Sequence, residues 1–218
     1  MPARIATLCL VLLLTNATRA QDDAPPVYVP PDVGAPETRV AAASRGTDRC
    51  VTSAAVLAPP HTGLSRAQVP TIWWFVEADC GYPAEVTLVP AEGFAQKPLL
   101  ERRLAPPAAG FHATRLADLG AALVAGRTYR FNLALIVDAD RRSADVFASA
   151  TVRWAAPPPG GEAAEDAGTL AAAGRWYDAV DRVMERAATE RARRDRAALL
   201  GQVGLDTAAA STLPVHAP

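Results

Sequence analysis

Residues 127–154 read RTYRFNLALIVDADRRSADVFASATVRW, and this stretch contains two runs in which apolar residues occupy every second position. The alternating residues are Tyr129, Phe131, Leu133, Leu135 and Val137 in the first run, and Val146, Ala148, Ala150, Val152 and Trp154 in the second. Successive side chains of a strand point to opposite faces, so this period of two predicts strands with one face on a core. The polar segment 138–145 between them predicts the turn of an antiparallel hairpin.

Five shorter runs with strand character precede this hairpin and are separated by turns that carry proline or glycine. They cover residues 51–58, 71–78, 84–89, 99–104 and 111–116. The segment 72–76 (IWWFV) is apolar on both faces, which is typical of a central strand. We interpret Trp73 and Trp74 within it as core residues, with a binding groove as the alternative. No helices interleave the strands, which argues against a parallel α/β fold.

Tyr129 follows Leu123 and Gly126 in the pattern Leu-x-x-Gly-x-x-Tyr. In immunoglobulin-like domains a tyrosine at the start of a late strand folds its hydroxyl back onto the preceding turn. About seven short strands, an apolar tryptophan strand and this structural corner at Tyr129 together predict an antiparallel immunoglobulin-like β-sandwich over residues 39–156.

The sequence changes character after residues 157–161 (PPPGG), which predict a Pro/Gly linker. Residues 162–205 are rich in alanine and charged residues, and their apolar residues repeat with the spacing of one helix face. We therefore predict a short C-terminal helical hairpin that caps the sandwich and docks through Trp176 and Tyr177. The fold class is α+β, mainly β, and residues 206–218 are predicted to be a disordered tail.

Residues 1–20 have the three parts of a secretory signal peptide: a positive charge, the apolar run 5–14, and small residues before the cleavage site between Ala20 and Gln21. The apolar run is about half as long as the roughly 20 residues of a membrane span. An uncleaved anchor is the alternative. The prediction is an exported protein, periplasmic or extracellular, with no transmembrane segment in the mature chain. It would begin with a proline-rich N-terminal arm, 21–38, lying extended on the surface or along a sheet edge.

Signal cleavage would remove Cys9 and leave Cys50 and Cys80. An even number of cysteines in an exported chain favours a disulfide. On the chain-entropy account this disulfide would stabilise the fold by about 3–4 kcal/mol. Two buried free thiols are the alternative.

We find no signature of a catalytic, cofactor-binding or metal-binding site in the sequence. The three histidines, His61, His112 and His216, are isolated, and HExxH, paired CxxC and Gly-x-Ser-x-Gly motifs do not occur. A net charge of −1 argues against a nucleic-acid partner. The segment 185–196 (ERAATERARRDR) is locally basic and is interpreted either as a contact for acidic surfaces or lipid headgroups or as a solvated helix face.

The segment 138–145 (DADRRSAD) holds three carboxylates in eight residues, Asp138, Asp140 and Asp145. Such a cluster could bind calcium, but the segment does not fit the EF-hand template, because Arg142 takes an acidic position and Ser143 the glycine position. We favour a polar hairpin turn in which Arg141 and Arg142 offset the acids.

An ordered set of short pieces runs along most of the mature chain. The pieces are 28–31 (YVPP), 34–36 (GAP), Arg39, 45–47 (RGT), 63–65 (GLS), 70–75 (PTIWWF), 126–131 (GRTYRF), 140–145 (DRRSAD), 174–179 (GRWYDA) and 199–205 (LLGQVGL). In these pieces the chain resembles a bacterial family known as domain of unknown function 928. It departs from that family in the PPPGG linker and in the additional charge of Arg141. The resemblance implies export and one architecture, and it supplies no catalytic residue.

Three functions remain open on this basis. We favour a non-enzymatic exported module that binds a protein or an envelope component, because it requires no motif that the sequence lacks. The second is a periplasmic hydrolase or carbohydrate-active enzyme, which would need a cleft holding two carboxylates roughly 5–10 Å apart. The third is calcium-dependent adhesion through Asp138, Asp140 and Asp145.

Overall fold

The computed structural model describes residues 24–32, 39, 54–93, 97–157 and 165–216. The described part is mainly β, with eight strands and four helices. The strands are β1 (Ala54–Val56), β2 (Gly63–Ser65), β3 (Thr71–Val76), β4 (Ala84–Pro90), β5 (Leu100–Leu104), β6 (Gly110–Arg115), β7 (Thr128–Leu135) and β8 (Val146–Trp154). The helices are α1 (Ala167–Ala172), α2 (Trp176–Met184), α3 (Glu190–Gln202) and α4 (Asp206–Ala210).

The strands form two sheets, one of three strands in the order β1-β3-β6 and one of five in the order β2-β8-β7-β4-β5. Each of the seven strands predicted from the sequence is present, with ends that differ by a few residues. The eighth, β2, was not predicted, because a three-residue strand is too short to show a period of two. It also corrects the expectation of purely antiparallel pairing: Gly63 to Ser65 pair in parallel with Val152 to Trp154. A parallel pair requires a long connection, and here nearly the whole β-region lies between the partners.

The strongest sequence signals are confirmed in the structure. Strand β7 pairs with β8 over its full length, from Thr128 opposite Arg153 to Leu135 opposite Val146. The alternating apolar residues of the two runs are buried, except Val137 and Trp154, which are partly buried. The central position of β3 also follows the sequence, since it pairs with β1 on one side and β6 on the other. Its residues 72–76 are all buried, so both faces of the three-stranded sheet are covered.

The helices begin and end at recognisable residues. Asp166 caps α1 by accepting a hydrogen bond from the Thr169 amide, and Thr189 caps α3 in the same way from Ala192. The first helix of the region 162–205 therefore begins at Ala167, because the cap sets its first turn. Gly174, with φ of 72°, ends the first helical segment in the left-handed conformation that favours glycine.

The prediction of a disordered tail at residues 206–218 is wrong for residues 206–216. Residues 206–210 form α4, and the segment 211–216, here called the C-terminal tail, lies beside β6. Phe111 donates its amide hydrogen to the Pro214 carbonyl, and His216 donates to the Phe111 carbonyl. The local sequence does not predict these contacts, because they join residues about 100 positions apart.

The described part of the N-terminal arm, residues 24–32, packs on the helices rather than along a sheet edge. Tyr28 is buried and meets the ring of Trp176 edge-on at 4.8 Å, and its amide donates to the Gln202 side chain. The Val29 amide donates to the Ala171 carbonyl. The predicted signal peptide 1–20, Gln21, Cys50 and linker residues 158–161 lie outside the described residues.

Helix α2 is bonded to four separate β-segments. The Trp176 indole donates to the Leu57 carbonyl after β1, and the Tyr177 hydroxyl donates to the Thr151 carbonyl in β8. The Asp178 carboxylate accepts from the Arg66 amide after β2, and the Asp181 carboxylate accepts from the Trp73 indole in β3. One helix thus ties together both sheets, and its Trp176 and Tyr177 side chains are fully enclosed. Burial of one such aromatic side chain contributes up to about 4–6 kcal/mol.

We expect Gly63→Ala to destabilise the protein by about 1–3 kcal/mol. A β-carbon at position 63 would lie 2.7 Å from a ring carbon of Tyr177, so α2 would have to shift away from β2. Gly201→Ala is the matched control, since a β-carbon there meets no atom within 4 Å and alanine stabilises a helix by up to about 1 kcal/mol. Urea unfolding of the two variants measures the difference; equal stabilities would contradict this docking.

Candidate functional site

A cavity of about 780 Å³ lies where β3, β6, the helices and the C-terminal tail meet. We call it the arginine groove. It is lined by Trp73, Arg115, Asp181, Met184, Glu185, Ala187, Ala188, Arg193, Arg196 and the tail residues 212–215. Its acidic residues come from α2 and the turn that follows, and its basic residues come from β6 and α3.

Asp181 is placed in the groove by the docking of α2, one and a half turns after Trp176. Its carboxylate accepts a hydrogen bond of 2.8 Å from the Trp73 indole. Burial raises the pKa of Asp181 above its usual value, and the Trp73 hydrogen bond and the charge of Arg115 partly offset that effect. Trp73 is therefore both a core residue, 5% exposed, and part of the groove wall.

Two of the other groove charges, Glu185 and Arg193, are paired with neighbouring residues. Glu185 accepts from the Arg182 guanidinium at 3.0 Å, and Arg193 donates to Glu190 at 2.7 Å. These are pairs three residues apart on the helical segments, a spacing at which side chains are neighbours. Because they are largely exposed, they contribute little to stability.

Arg196 differs from its neighbours because it is buried, with 5% of its surface exposed. Its guanidinium lies 4.2 Å above the centre of the Phe111 ring and donates to the Ser211 carbonyl at 2.9 Å. Burial and the neighbouring charge of Arg193 lower the pKa of Arg196. The floor of the groove thus joins Phe111 of β6, Arg196 of α3 and Ser211 of the C-terminal tail.

The C-terminal tail forms one wall of the groove and is held on its other side by a stack of three rings. Trp74 stacks on His112 at 4.4 Å between ring centres, and His112 stacks on His216 at 4.6 Å. The two histidine rings bond through Nε2 to the carbonyls of Ala108 and Ala109. Gly110, with φ of 137°, allows this approach, since a β-carbon there would lie 2.4 Å from the Pro214 carbonyl oxygen.

The structure places the residues singled out from the sequence as follows. Trp176 and Tyr177 lie beneath the helices and bond to β-segments. The Tyr129 hydroxyl, at the start of β7, accepts a hydrogen bond of 3.3 Å from the Val124 amide. Cys80 is partly buried after β3, while Cys50, Ala20 and Gln21 lie outside the described residues.

The acidic segment 138–145 lies in the connection between β7 and β8, away from the residues that line the groove. The Arg142 guanidinium donates to the Asp145 carboxylate at 2.6 Å and to Glu85 at 2.9 Å. These two carboxylates raise the pKa of Arg142. Among the described residues, no group of three or more His, Cys, Asp and Glu side chains is placed to hold a metal ion.

The sequence analysis did not predict the burial of Arg196 or the stacking of His112 on His216. Arg196 has the same local surroundings in the sequence as its exposed neighbours in the basic segment 185–196, and its burial follows from how α3 packs on β6. The histidines are 104 residues apart. A weak signal was available in the helical repeat, because Arg196 lies three and four residues before Leu199 and Leu200 on the same helix face.

The stability of the protein should fall more steeply between pH 7.5 and 5 in the native sequence than in His112→Gln. Burial, and then the charge of His216, lower the pKa of His112, so the unfolded chain takes up a proton more readily than the folded one. The stabilisation is present above the ordinary histidine pKa of about 6.5 and is lost as the pH falls below it.

Urea unfolding at the two pH values measures this difference. His61, whose pKa is also lowered by burial, is present in both proteins and cancels in the comparison. An identical pH dependence in the two proteins would contradict a lowered pKa of His112 in the folded protein.

Comparison with known proteins gives one match. No curated protein and no solved structure matches the chain. The model of the family described as Domain of Unknown Function (DUF928) matches residues 40–213, which include both sheets, all four helices and the lining of the groove except Pro214 and Val215. The resemblance noted in the sequence is thereby confirmed, and the chain belongs to the DUF928 family.

Proposed function

We propose that this protein is an exported, non-enzymatic module that binds a partner, a protein or an envelope component, in the arginine groove. The observation that carries the proposal is the state of the two groove carboxylates. Asp181 accepts a hydrogen bond from the Trp73 indole and Glu185 pairs with Arg182, so both acids are occupied by groups of the protein. A binding role requires no change in these two contacts.

The size and walls of the groove support binding. A volume of about 780 Å³ lies within the roughly 300–1,000 Å³ typical of ligand sites. Apolar side chains line it beside the charged ones, namely Met184, Leu213, Pro214 and Val215. Such a mixture gives a partner apolar area to bury and charges that fix its orientation.

An immunoglobulin-like sandwich as the scaffold is part of this proposal. It is supported by the presence of two sheets, by the order β8-β7-β4 within the five-stranded sheet, and by the hydrogen bond between Tyr129 and Val124. A tyrosine hydroxyl that bonds to the backbone a few residues upstream is a feature of that fold.

Export and the disulfide are supported by sequence and register. The segment 1–20 has the organisation of a secretory signal. In the antiparallel pairing of β1 with β3, Ala54 lies opposite Val76. Cys50 precedes Ala54 by four residues and Cys80 follows Val76 by four residues. Equal chain lengths therefore lead from this pair to the two thiols, which favours their bonding to each other.

Among the described residues, none of the helices is long and apolar enough to cross a membrane.

A second candidate, a periplasmic hydrolase, is favoured by one observation. Asp181 and Glu185 are four residues apart on one helical segment, a spacing that separates β-carbons by about 5–6 Å. The raised pKa of the Asp181 carboxyl is a property that general acids share. The Trp73 indole argues against this role, since it donates to the carboxylate and so stabilises the ionised form.

Expression of the full chain in a bacterial host should yield a mature protein that begins at Gln21 and contains a bond between Cys50 and Cys80. The measurement is mass spectrometry of the intact protein and of its unreduced digest, with Cys80→Ser as the control. Retention of residues 1–20, or two alkylatable thiols without reduction, would contradict the proposal.

The protein should not turn over chromogenic glycosides or esters faster than its Asp181→Asn variant, because its carboxylates serve structure and binding. Initial rates over a substrate panel at pH 5–8 provide the measurement, with Glu185→Gln as a second variant. A rate that the native protein shows and both variants lose would replace the binding proposal with the hydrolase.

Ala188→Trp should abolish partner binding without loss of stability, because Ala188 is an exposed residue of the groove wall and indole would fill the cavity. The matched control is Ala172→Trp, an exposed position on α1 away from the groove. The mature protein is immobilised and exposed to envelope extract of its own host. We expect a species retained by the native and Ala172→Trp proteins and reduced at least tenfold by Ala188→Trp; equal retention by all three would contradict a site in the groove.

A further inference from the structure

The charged residues of the arginine groove differ in their surroundings, and one buried cation has no counter-charge among the described residues. Glu185 pairs with Arg182 and Arg193 pairs with Glu190. The exposed Arg115 acts on Asp181 through its charge, which lowers the pKa of that carboxyl. Within the described part of the chain, no carboxylate forms an ion pair with Arg196.

Arg196 is also short of hydrogen-bond partners. A guanidinium has five N–H donors. One nitrogen, Nη2, donates to the Ser211 carbonyl, while the buried Nε donates to no atom of the described residues. The face of the Phe111 ring supplies the remaining attraction for the charge.

A buried charge without a counter-charge is costly, because water is removed and nothing of opposite sign replaces it. The cost is reduced when an anion enters the adjacent cavity. Arginine is well suited to this role, since its planar fork matches a carboxylate and it is more weakly hydrated than lysine.

We propose that the arginine groove binds an acidic peptide segment, with a carboxylate of that segment placed beside Arg196. This inference rests on the proposed function and adds the chemistry of the partner. Apolar side chains of the segment lie against Met184 and Leu213, and Arg115 stands at the exposed end of the same cavity. The positive charge of the groove floor selects glutamate or aspartate over their uncharged amides.

A peptide fits this cavity better than a free inorganic anion. A lone phosphate would use the guanidinium but none of the apolar wall, and it would fill only a small part of about 780 Å³. The C-terminal tail also shows that extended chain can lie along this side of β6, since Val215 bridges to Phe111 there.

The experiment measures binding of three capped pentapeptides to the mature protein by calorimetry at low ionic strength. Their sequences are Leu-Glu-Leu-Glu-Leu, Leu-Gln-Leu-Gln-Leu and Leu-Lys-Leu-Lys-Leu, and inorganic phosphate is a fourth probe. We expect the glutamate peptide to bind at least tenfold more tightly than the glutamine peptide, with an affinity that falls as salt is added. We expect the lysine peptide not to bind.

Variants then test whether the preference for the glutamate peptide depends on Arg196. Arg196→Met, which keeps the length and removes the charge, should make the glutamate and glutamine peptides bind equally, whereas Arg130→Gln, an exposed arginine of β7, should change nothing. If Arg196→Met does not fold, the comparison of peptides on the native protein decides alone. Equal binding of the glutamate and glutamine peptides, phosphate binding without peptide binding, or no binding at all would overturn the inference. Equal binding that Ala188→Trp abolishes would overturn the anion preference and leave the proposed function standing.

Discussion

The docking of α2 against the sheets is the constraint on which the rest of the structure depends. A short amphipathic helix is marginal in water by itself, so its stability comes from the surface on which it packs. Here the packing is supplemented by hydrogen bonds that join Trp176, Tyr177, Asp178 and Asp181 to four β-segments that are far apart in sequence. The two aromatic side chains donate and the two carboxylates accept, so each bond satisfies a polar group at the contact between the helix and the sheets. Helix and sheets therefore belong to one cooperative unit.

The arginine groove is a consequence of that docking. Because α2 lies against β3, its Asp181 faces the Trp73 indole, and the chain that follows brings α3 over β6. The tail then returns to β6 and closes the remaining side. The result is a cavity whose acids are used by the protein itself and whose buried cation, Arg196, has no counter-charge among the described residues. The proposed binding role rests on that imbalance, since a partner of opposite charge would supply what those residues do not.

Much of the scaffold could be predicted because its signals are local. The alternation in β7 and β8, the apolar run of β3 and the helical stripe that contains Trp176 each occupy a single short segment, and each forms the element predicted. The groove could not be predicted in this way. Arg196 lies in a basic segment that resembles a solvated helix face, and its burial depends on Phe111 and Ser211, which the sequence does not connect with it.

The central claim, that the helices and both sheets form one unit, is tested most directly by chemical unfolding followed with two signals at once. Far-ultraviolet circular dichroism at 222 nm reports mainly on the helices. Tryptophan fluorescence reports on Trp73, Trp74 and Trp154, which lie in the sheets, and on Trp176, which lies where α2 contacts them. We expect the two signals to change together in one transition with the same midpoint. A helical signal that is lost at a lower denaturant concentration, with the sheet still folded, would contradict the account.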